Sequence, residues 1–357
     1  MASRLVTVDE VSRFVQRCMC SVGTNSDHAR QLAELLVAAD CRGHFSHGLN
    51  RLGMYVRDIK SGTTLADGQP AIDKETVSTA LVNANNILGP VSSYFCMDLA
   101  MKKAKETGIG WVSCHGANHF GIAGYYSMMA AKQGLIGMAF TNTSPLMVPT
   151  RAKTTTLGTN ALSVAATGKN ENDMFVLDMA TTSAAVGKIE MCNRKNEELP
   201  NGWAVDEDGK ETNDGRKAMN DGGLMPLGGG EKTSGYKGYG LGFMVELFCG
   251  IMSGSAFGPN VRRWDKSDVV ADLGQCFVAI DPSVFAPGFE DRLSSLMNYC
   301  RTLEPAAGES EVLVAGDPER KKISDVKENG GIQYHVNLLK SLDEMADKLQ
   351  VDRMKCL

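Results

Sequence analysis

Within twelve residues, Cys41-Arg42-Gly43-His44-Phe45-Ser46-His47-Gly48-Leu49-Asn50-Arg51-Leu52, the chain gathers two histidines, a hydroxyl and two arginines. Imidazole titrates nearest to neutral pH of the ordinary side chains, so it is the natural carrier of a proton. A guanidinium can hold a carboxylate through two parallel hydrogen bonds. His47 and Arg51, four residues apart, therefore read as a proton donor beside an anion clamp. On a helix the two would share a face one turn apart, with the imidazole near the positive end of the dipole. A plainer reading makes Ser46 a helix N-cap and leaves His47 and Arg51 on a solvated face.

Other stretches carry chemistry of their own. The apolar run Trp111–His115 empties into the glycine-punctuated turn Gly116–Gly124, ahead of the helical stripe Tyr125, Met128, Met129 and Gln133. A strand, such a turn and a helix start can present backbone N–H groups to a phosphate. Asp178 closes the apolar strand Met174–Ala180, where it could order a histidine or a cofactor group or simply serve as a helix-start acid. Lys237 stands among glycines before an apolar helix, and Gly316-Asp317-Pro318-Glu319 is a turn able to line a site.

Several familiar motifs are absent. Gly108-x-Gly110 is the nearest approach to a dinucleotide fingerprint, and its third glycine position holds Ser113. Glu231 spoils the phosphate-loop pattern of Gly228–Thr233. His115 and His119 have zinc-helix spacing but enclose Gly-Ala-Asn without the glutamate, and the ten cysteines show no zinc spacing, so no metal is expected. No Gly-x-Ser-x-Gly elbow accompanies Ser46.

Helices must bring these groups together. Thr7-x-x-Glu10 is a capping-box pattern before the stripe Val8, Val11, Phe14, Val15 and Cys18. Asn25 or Ser26 caps a second helix, and a third is predicted from about His47 to Lys60, with Ser46 and His47 at its start. We expect residues 1–74 to form a helical module, packed with a C-terminal segment 333–357. Residues 75–332 should form an α/β region, with a polar excursion at 193–230 that could act as a lid. Strands are predicted over Val77–Ala84, Trp111–His115, Leu135–Asn142, Met174–Ala180 and Cys276–Ile280, with Thr181-Thr182-Ser183 opening a short helix toward Lys188.

At 357 residues and 43% hydrophobic content the chain can bury a large core. A net charge of −5 with scattered basic residues argues against nucleic acid or an anionic membrane as partner. The acidic start without an apolar run, and thiols without disulfide spacing, favour the cytoplasm. The terminal Lys-Cys-Leu loosely resembles a peroxisomal tripeptide and keeps that compartment as a minor alternative.

Taken together and in order, the motifs resemble the type-2 malate/L-lactate dehydrogenase family, a non-Rossmann group of nicotinamide-dependent oxidoreductases. The resemblance rests on Arg42-Gly-x-x-Ser-His-Gly-x-x-Arg51, His119-Phe-Gly-Ile-Ala, Leu157-Gly-Thr-Asn, Leu177-Asp-Met-Ala-Thr, Gly187-Lys-Ile, Leu227-Gly-Gly, Gly235-Tyr-Lys-Gly-Tyr-Gly-Leu and Gly316-Asp-Pro-Glu319, spread over nearly the whole chain. It implies an L-sulfolactate dehydrogenase-like α/β fold, with a large mixed, mostly antiparallel sheet flanked by helices, and a homodimer. It implies NAD as cofactor, with NADP the alternative, and a small 2-hydroxy or 2-oxo acid as substrate. By the same resemblance His47 is the general acid/base with Ser46 in a relay and Asp178 in support, and Arg51, His119, Gly124, Thr159 and Asn160 meet the substrate. His119, Phe120, Gly121, Ile122, Ala123, Thr143, Asp178, Met179, Ala180, Tyr236, Lys237, Gly316, Asp317 and Pro318 would line the cofactor. Some relatives give proton transfer to the histidine at position 119. A cyclic imino-acid reductase and a catalytically silent cofactor-binding protein are the competing readings. The chain departs from the family pattern at Asn213–Lys217, which lacks an acidic-proline turn, and at Ala315, which stands where a proline is usual.

Overall fold

Strand β1 (Ser3–Val6) leads into helix α1 (Val8–Ser21), and Thr7 holds its start by accepting the Glu10 N–H at 3.2 Å. The computed structural model describes residues 3–170, 172–264 and 266–357. Only half of the expected capping box forms, because the Glu10 carboxylate instead accepts from Arg17 at 2.9 Å and from the Lys355 N–H at 3.2 Å. Asn25 caps helix α2 (Ser26–Cys41) through the Asp27 N–H. The third helix begins later than its sequence suggests. A 3-10 turn, Leu49–Arg51, precedes α3 (Leu52–Lys60), so Ser46 and His47 lie in the connecting loop and not on the helix.

The α/β part follows as β2 (Ala71–Glu75), β3 (Thr79–Asn83), α4 (Gly89–Thr107), β4 (Ile109–Ala117), α5 (Ala123–Ala131), β5 (Ile136–Thr141), β6 (Leu162–Thr167) and β7 (Met174–Met179). Then come α6 (Val186–Lys195), β8 (Ala204–Val205), α7 (Gly215–Asn220), β9 (Gly223–Leu224), α8 (Gly235–Glu246), β10 (Leu273–Ile280), α9 (Phe289–Arg301), α10 (Asp317–Glu328), β11 (Ile332–His335) and α11 (Val336–Leu349). Seven strands form the main sheet in the order β2-β3-β4-β10-β5-β6-β7, antiparallel throughout except for the β3–β4 pair. This is the mixed, mostly antiparallel sheet expected. β2 straddles residue 74 and pairs with β3, so a strand of the large sheet begins inside the N-terminal segment.

Central strand β10 shows why the sheet needs helices on both faces. Its alternate residues Leu273, Phe277 and Ala279 join the core under α4 and α5, whereas Cys276 and Val278 join Val245 and Cys249 of α8 and the π turn that follows it. Side chains alternate faces along a strand, so a strand buried on both sides reads as a nearly continuous apolar run. Two glycines let the helices close on the sheet: a Cβ at Gly110 would lie 2.0 Å from the Ala100 carbonyl oxygen, and one at Gly137 2.1 Å from that of Ser127.

A second core joins α1, α2, α3, β11 and α11, with Phe14, Leu32, Leu36, Leu52, Tyr334 and Leu342 among its buried residues. β1 pairs with β11, which brings the two ends of the chain together. Asp40, near the end of α2, is almost fully buried and accepts from Tyr334 Oη at 2.6 Å and from the Leu49 N–H at 2.9 Å. Burial pushes its carboxyl up to about 7 against the lowering effect of those bonds. Asp40 thus does from a distance what Ser46 was expected to do as a cap.

The excursion at 193–230 is a packed unit. Ile189, Leu199, Ala204, Ala218 and Leu224 form its core, and Lys188 Nζ lies 5.7 Å from the Trp203 ring centroid. Its first helix starts at Val186, later than Thr181–Ser183 suggested, because Thr182 and Ser183 spend their hydroxyls on backbone carbonyls of Ala184 and Pro226. Among the described residues no helix is long and apolar enough to cross a membrane.

Candidate active site

The loop between α2 and α3 folds onto the turn after β4, and two histidines meet there. The rings of His47 and His119 stack with centroids 5.9 Å apart and planes inclined by 15°. Ser46 Oγ lies 2.9 Å from His47 Nδ1. Arg51 is not one helical turn beyond His47. It reaches back from the end of the 3-10 turn and donates through Nε to the Ser46 carbonyl at 2.7 Å, while its guanidinium carbon lies 5.2 Å from the Trp264 ring centroid. The expected face-sharing helix is therefore replaced by a loop pinned by the arginine, with its outer N–H groups left for an anion.

His119 is set from behind. Its Nδ1 accepts from the Gly121 N–H at 3.2 Å, so it carries no proton, and the Tyr55 hydroxyl 2.7 Å away must donate to it as well. The network assigns the proton of the neutral ring to Nε2. Protonating His119 at Nδ1 would set its new N–H against the Gly121 N–H and force the Tyr55 hydroxyl to turn from donor to acceptor. Burial lowers the pKa of His119 well below the usual value, with His47 and Arg51 adding to the effect. Burial also lowers His47, to about 4, with smaller contributions from Arg51 and His44. His47 has no second donor on its Nδ1, so it is the histidine free to change its protonation state.

Neighbouring elements close around this pair. A Cβ on Gly187, at the start of α6, would lie 3.4 Å from Ser46 Cβ. Trp264 is steadied by α3: Arg57 donates to the Trp264 carbonyl at 3.2 Å, and buried Asp58 pairs with Arg262 at 2.9 Å. Leaving either of those buried charges alone costs roughly 3–5 kcal/mol. Asp178 Oδ2 accepts the Gly124 N–H at 2.9 Å, and a Cβ on Gly124 would sit 2.4 Å from that oxygen. Burial raises the Asp178 pKa, while His44, the Gly124 N–H and Arg42 act to lower it. Asp178 therefore belongs with His44 and Arg42 at the start of α5, and no direct bond links it to His47.

The other expected site residues divide. Thr143 Oγ1 accepts the Thr159 N–H at 2.9 Å, Asn160 Oδ1 accepts the Thr143 N–H at 3.2 Å, and Thr181 donates its N–H to the Thr159 carbonyl just beyond Met179 and Ala180. Gly316 (φ 102°) opens α10, and Glu319 of that helix reaches within 3.9 Å of His44 Nε2. Asp317 is bound to Arg301 at 2.8 Å and Pro318 occupies the first turn of α10. Phe120 is buried against Tyr126 and Phe277, and Ile122 and Ala123 are buried too, so in this stretch only His119 keeps an accessible side chain. Tyr236 and Lys237 lie exposed on the first turn of α8, and among the described residues no direct contact joins them to the histidines. Tyr55 and Trp264 escaped the sequence reading. Tyr55 stands four residues after Arg51, a helical spacing that could have flagged it, whereas nothing local marks Trp264.

For a nicotinamide dinucleotide the glycine turn is less open than its composition suggests, because the Gly121 and Gly124 N–H groups already donate to His119 and Asp178. The nitrogen donors beside it fit better. Arg42 is buried with Nε unpartnered, and His44 Nε2 is likewise buried without a hydrogen bond. A buried guanidinium with Nε–H unpaired, beside an imidazole nitrogen that Glu319 approaches only to 3.9 Å, suits the phosphates of a dinucleotide.

The sequence profile described as malate/L-lactate dehydrogenase matches residues 6–343. The malate/(S)-sulfolactate dehydrogenase of Methanothermus fervidus is 37% identical over 349 residues, which are 98% of this chain and 99% of that protein. The NAD(+) ureidoglycolate dehydrogenase of Escherichia coli is 30% identical over 317 residues, 88% of each chain. The malate dehydrogenase structure from Pyrococcus horikoshii superposes with a TM-score of 0.90 at 34% identity, covering 98% of this chain and 97% of that one.

Proposed function

The chain belongs to the malate/L-lactate dehydrogenase family and is an enzyme of the 2-hydroxy-acid dehydrogenase type, and from this premise we propose that it interconverts a malate- or lactate-like 2-hydroxy acid and its 2-oxo acid, with NAD or NADP as cofactor. The observation that carries this reading is the stacked pair of histidines, one with its tautomer fixed and one free to titrate, beside an arginine whose Nε is already anchored. A bound nicotinamide supplies the hydride in one direction and accepts it in the other. Arg42 and His44 would hold its phosphates, and the Thr143, Thr159 and Met179–Ala180 segments would flank it.

The remaining steps belong to the chain's own side chains. Arg51 orients the substrate carboxylate and so fixes which face of the carbonyl is presented. As hydride reaches the carbonyl carbon, the π electrons move to oxygen and His47 gives up its proton there. His119 Nε2–H steadies the same developing charge without itself ionising. Oxidation runs the path in reverse, with neutral His47 accepting the hydroxyl proton. Substrate also helps to charge the acid: a carboxylate against Arg51 offsets the smaller, electrostatic part of what holds His47 down, burial being the larger.

The test is a panel of pyruvate, oxaloacetate and cyclic imines, each with NADH and NADPH. Turnover on a 2-oxo acid is the expected result. Activity confined to imines, or dinucleotide binding with no turnover, would replace this reading with one of its rivals.

We also propose a homodimer. Phe243, Leu247, Ile251 and Met252 lie exposed along α8 and its π turn, an apolar stripe of the kind that copies of a chain cover. Light scattering should return twice the chain mass of 38.4 kDa, and a monomer at micromolar concentration would end that assignment.

A further inference from the structure

Glu246 ends the largely apolar helix α8, and only 2% of its surface is exposed. A carboxylate there must be compensated by hydrogen bonds. Oε1 accepts from Asn142 Nδ2 and from the Gly258 N–H, both at 3.0 Å, and Oε2 accepts from Asn160 Nδ2 at 2.6 Å. Three segments distant in sequence thus converge on one side chain.

The bonds also have a direction. An asparagine amide has one accepting and one donating end, and a carboxylate with only lone pairs to offer decides which end it meets. Asn160 turns Nδ2 toward Glu246 and the Gly242 carbonyl, which leaves Oδ1 to accept the Thr143 N–H. Asn142 turns Nδ2 toward Glu246 and the Ala256 carbonyl, leaving Oδ1 for the Gly274 N–H on β10. Flipping either amide would oppose donor to donor at the backbone N–H and acceptor to acceptor at Glu246. Asn160 further holds a left-handed backbone (φ 36°), a conformation that persists where surrounding bonds impose it.

Local helix geometry serves the same contact. The π turn Leu247–Ile251 begins immediately after Glu246, and a Cβ on Gly250 would lie 2.8 Å from Asn142 Nδ2. Such turns interrupt α-helices most often where function requires it.

We propose that Glu246 is a positioning residue of the dehydrogenase: through the polarity of Asn142 and Asn160 it fixes the Thr143 and Thr159 turns against which substrate and cofactor lie. The proposal rests on the dehydrogenase reading for its kinetic consequences but not for its structural ones. Glu246→Gln keeps the shape and removes one acceptor edge, so a donor must face the Asn160 amide or the Asn142–Gly258 pair.

In the full-length Glu246→Gln protein, kcat/KM for the active 2-oxo acid should fall by roughly 30–100-fold, the loss expected when reacting groups shift by about 1 Å. The Kd for NADH, read by fluorescence, should rise by much less than kcat/KM falls, since the phosphate contacts of Arg42 and His44 are untouched while the turns that flank the cofactor loosen. Amide hydrogen exchange should rise by about tenfold in peptides covering 141–146 and 157–161 and stay unchanged in β4. Uniform loss of protection, or full turnover per folded molecule, would reduce Glu246 to an ordinary core contact and overturn the proposal. If Glu246→Gln does not fold, Asn160→Ser cuts the same chain one step later; unchanged exchange at 141–146 in that variant overturns the proposal too. Should the unaltered enzyme turn over no 2-oxo acid, the dehydrogenase chemistry fails while the exchange pattern still decides the role of Glu246.

Discussion

His47→Asn should lower kcat/KM for both directions of the reaction by about 10³-fold, within the 10²–10⁴ range that a positioned general acid or base supplies. Asparagine keeps a polar group near Ser46 Oγ but cannot carry a proton. Because the dinucleotide would be held by Arg42 and His44, the Kd for NADH should remain close to that of the unaltered enzyme. The pH dependence follows from the lowered pKa. With His47 near 4 in the free enzyme, neutral imidazole is present throughout the neutral range, so kcat/KM for oxidation should be level at neutral pH and fall only as the medium approaches pH 4. Reduction needs the protonated ring, so its kcat/KM should decline about tenfold per pH unit as pH rises above that value. Both slopes should vanish in His47→Asn. If that variant keeps near-normal turnover while His119→Asn loses it, proton transfer belongs to His119 and the tautomer argument is wrong.

The elements of the large sheet were legible in the sequence because apolar runs and glycine stops mark them locally. The strand Trp111–His115 appears as the middle of β4. The opening motif was legible in composition and misread in geometry. Its spacing suits a helix, but a buried carboxylate six residues before Ser46 captures the Leu49 N–H, delays the helix and leaves His47 in a loop. Such a competitor is invisible to a local rule, since Asp40 is fixed in place by Tyr334, nearly three hundred residues away. The same holds for the support of the site. Tyr55 and Trp264 act only because α3 meets the turn after β4 on one side and Arg262, Trp264 and Ser267 on the other. Glu246 was visible as the one acid in an apolar stretch, but its partners at 142, 160 and 258 had to be folded beside it. Short-range chemistry could be read; long-range hydrogen bonding could not.

Arg51→Lys separates charge from shape at the same site. Lysine keeps the positive charge, so the electrostatic part of the lowering of His47 should survive and the pH profiles should hold their positions. What is lost is geometric. An ammonium has no Nε to anchor on the Ser46 carbonyl, no planar face for Trp264 and no second edge for a two-point hold on a carboxylate. The loop carrying Ser46 and His47 loses its tether together with the clamp, so both substrate orientation and acid placement loosen. We expect the KM for the 2-oxo acid to rise about tenfold and kcat/KM to fall about 10²-fold, with the Kd for NADH unchanged. Arg51→Ala should add a shift of both pH profiles toward higher pH, because removing the neighbouring cation relieves part of the repulsion on protonated His47. An unaltered kcat/KM for Arg51→Lys on every 2-oxo acid the enzyme accepts would mean that Arg51 only braces the loop, and that the substrate carboxylate is held elsewhere.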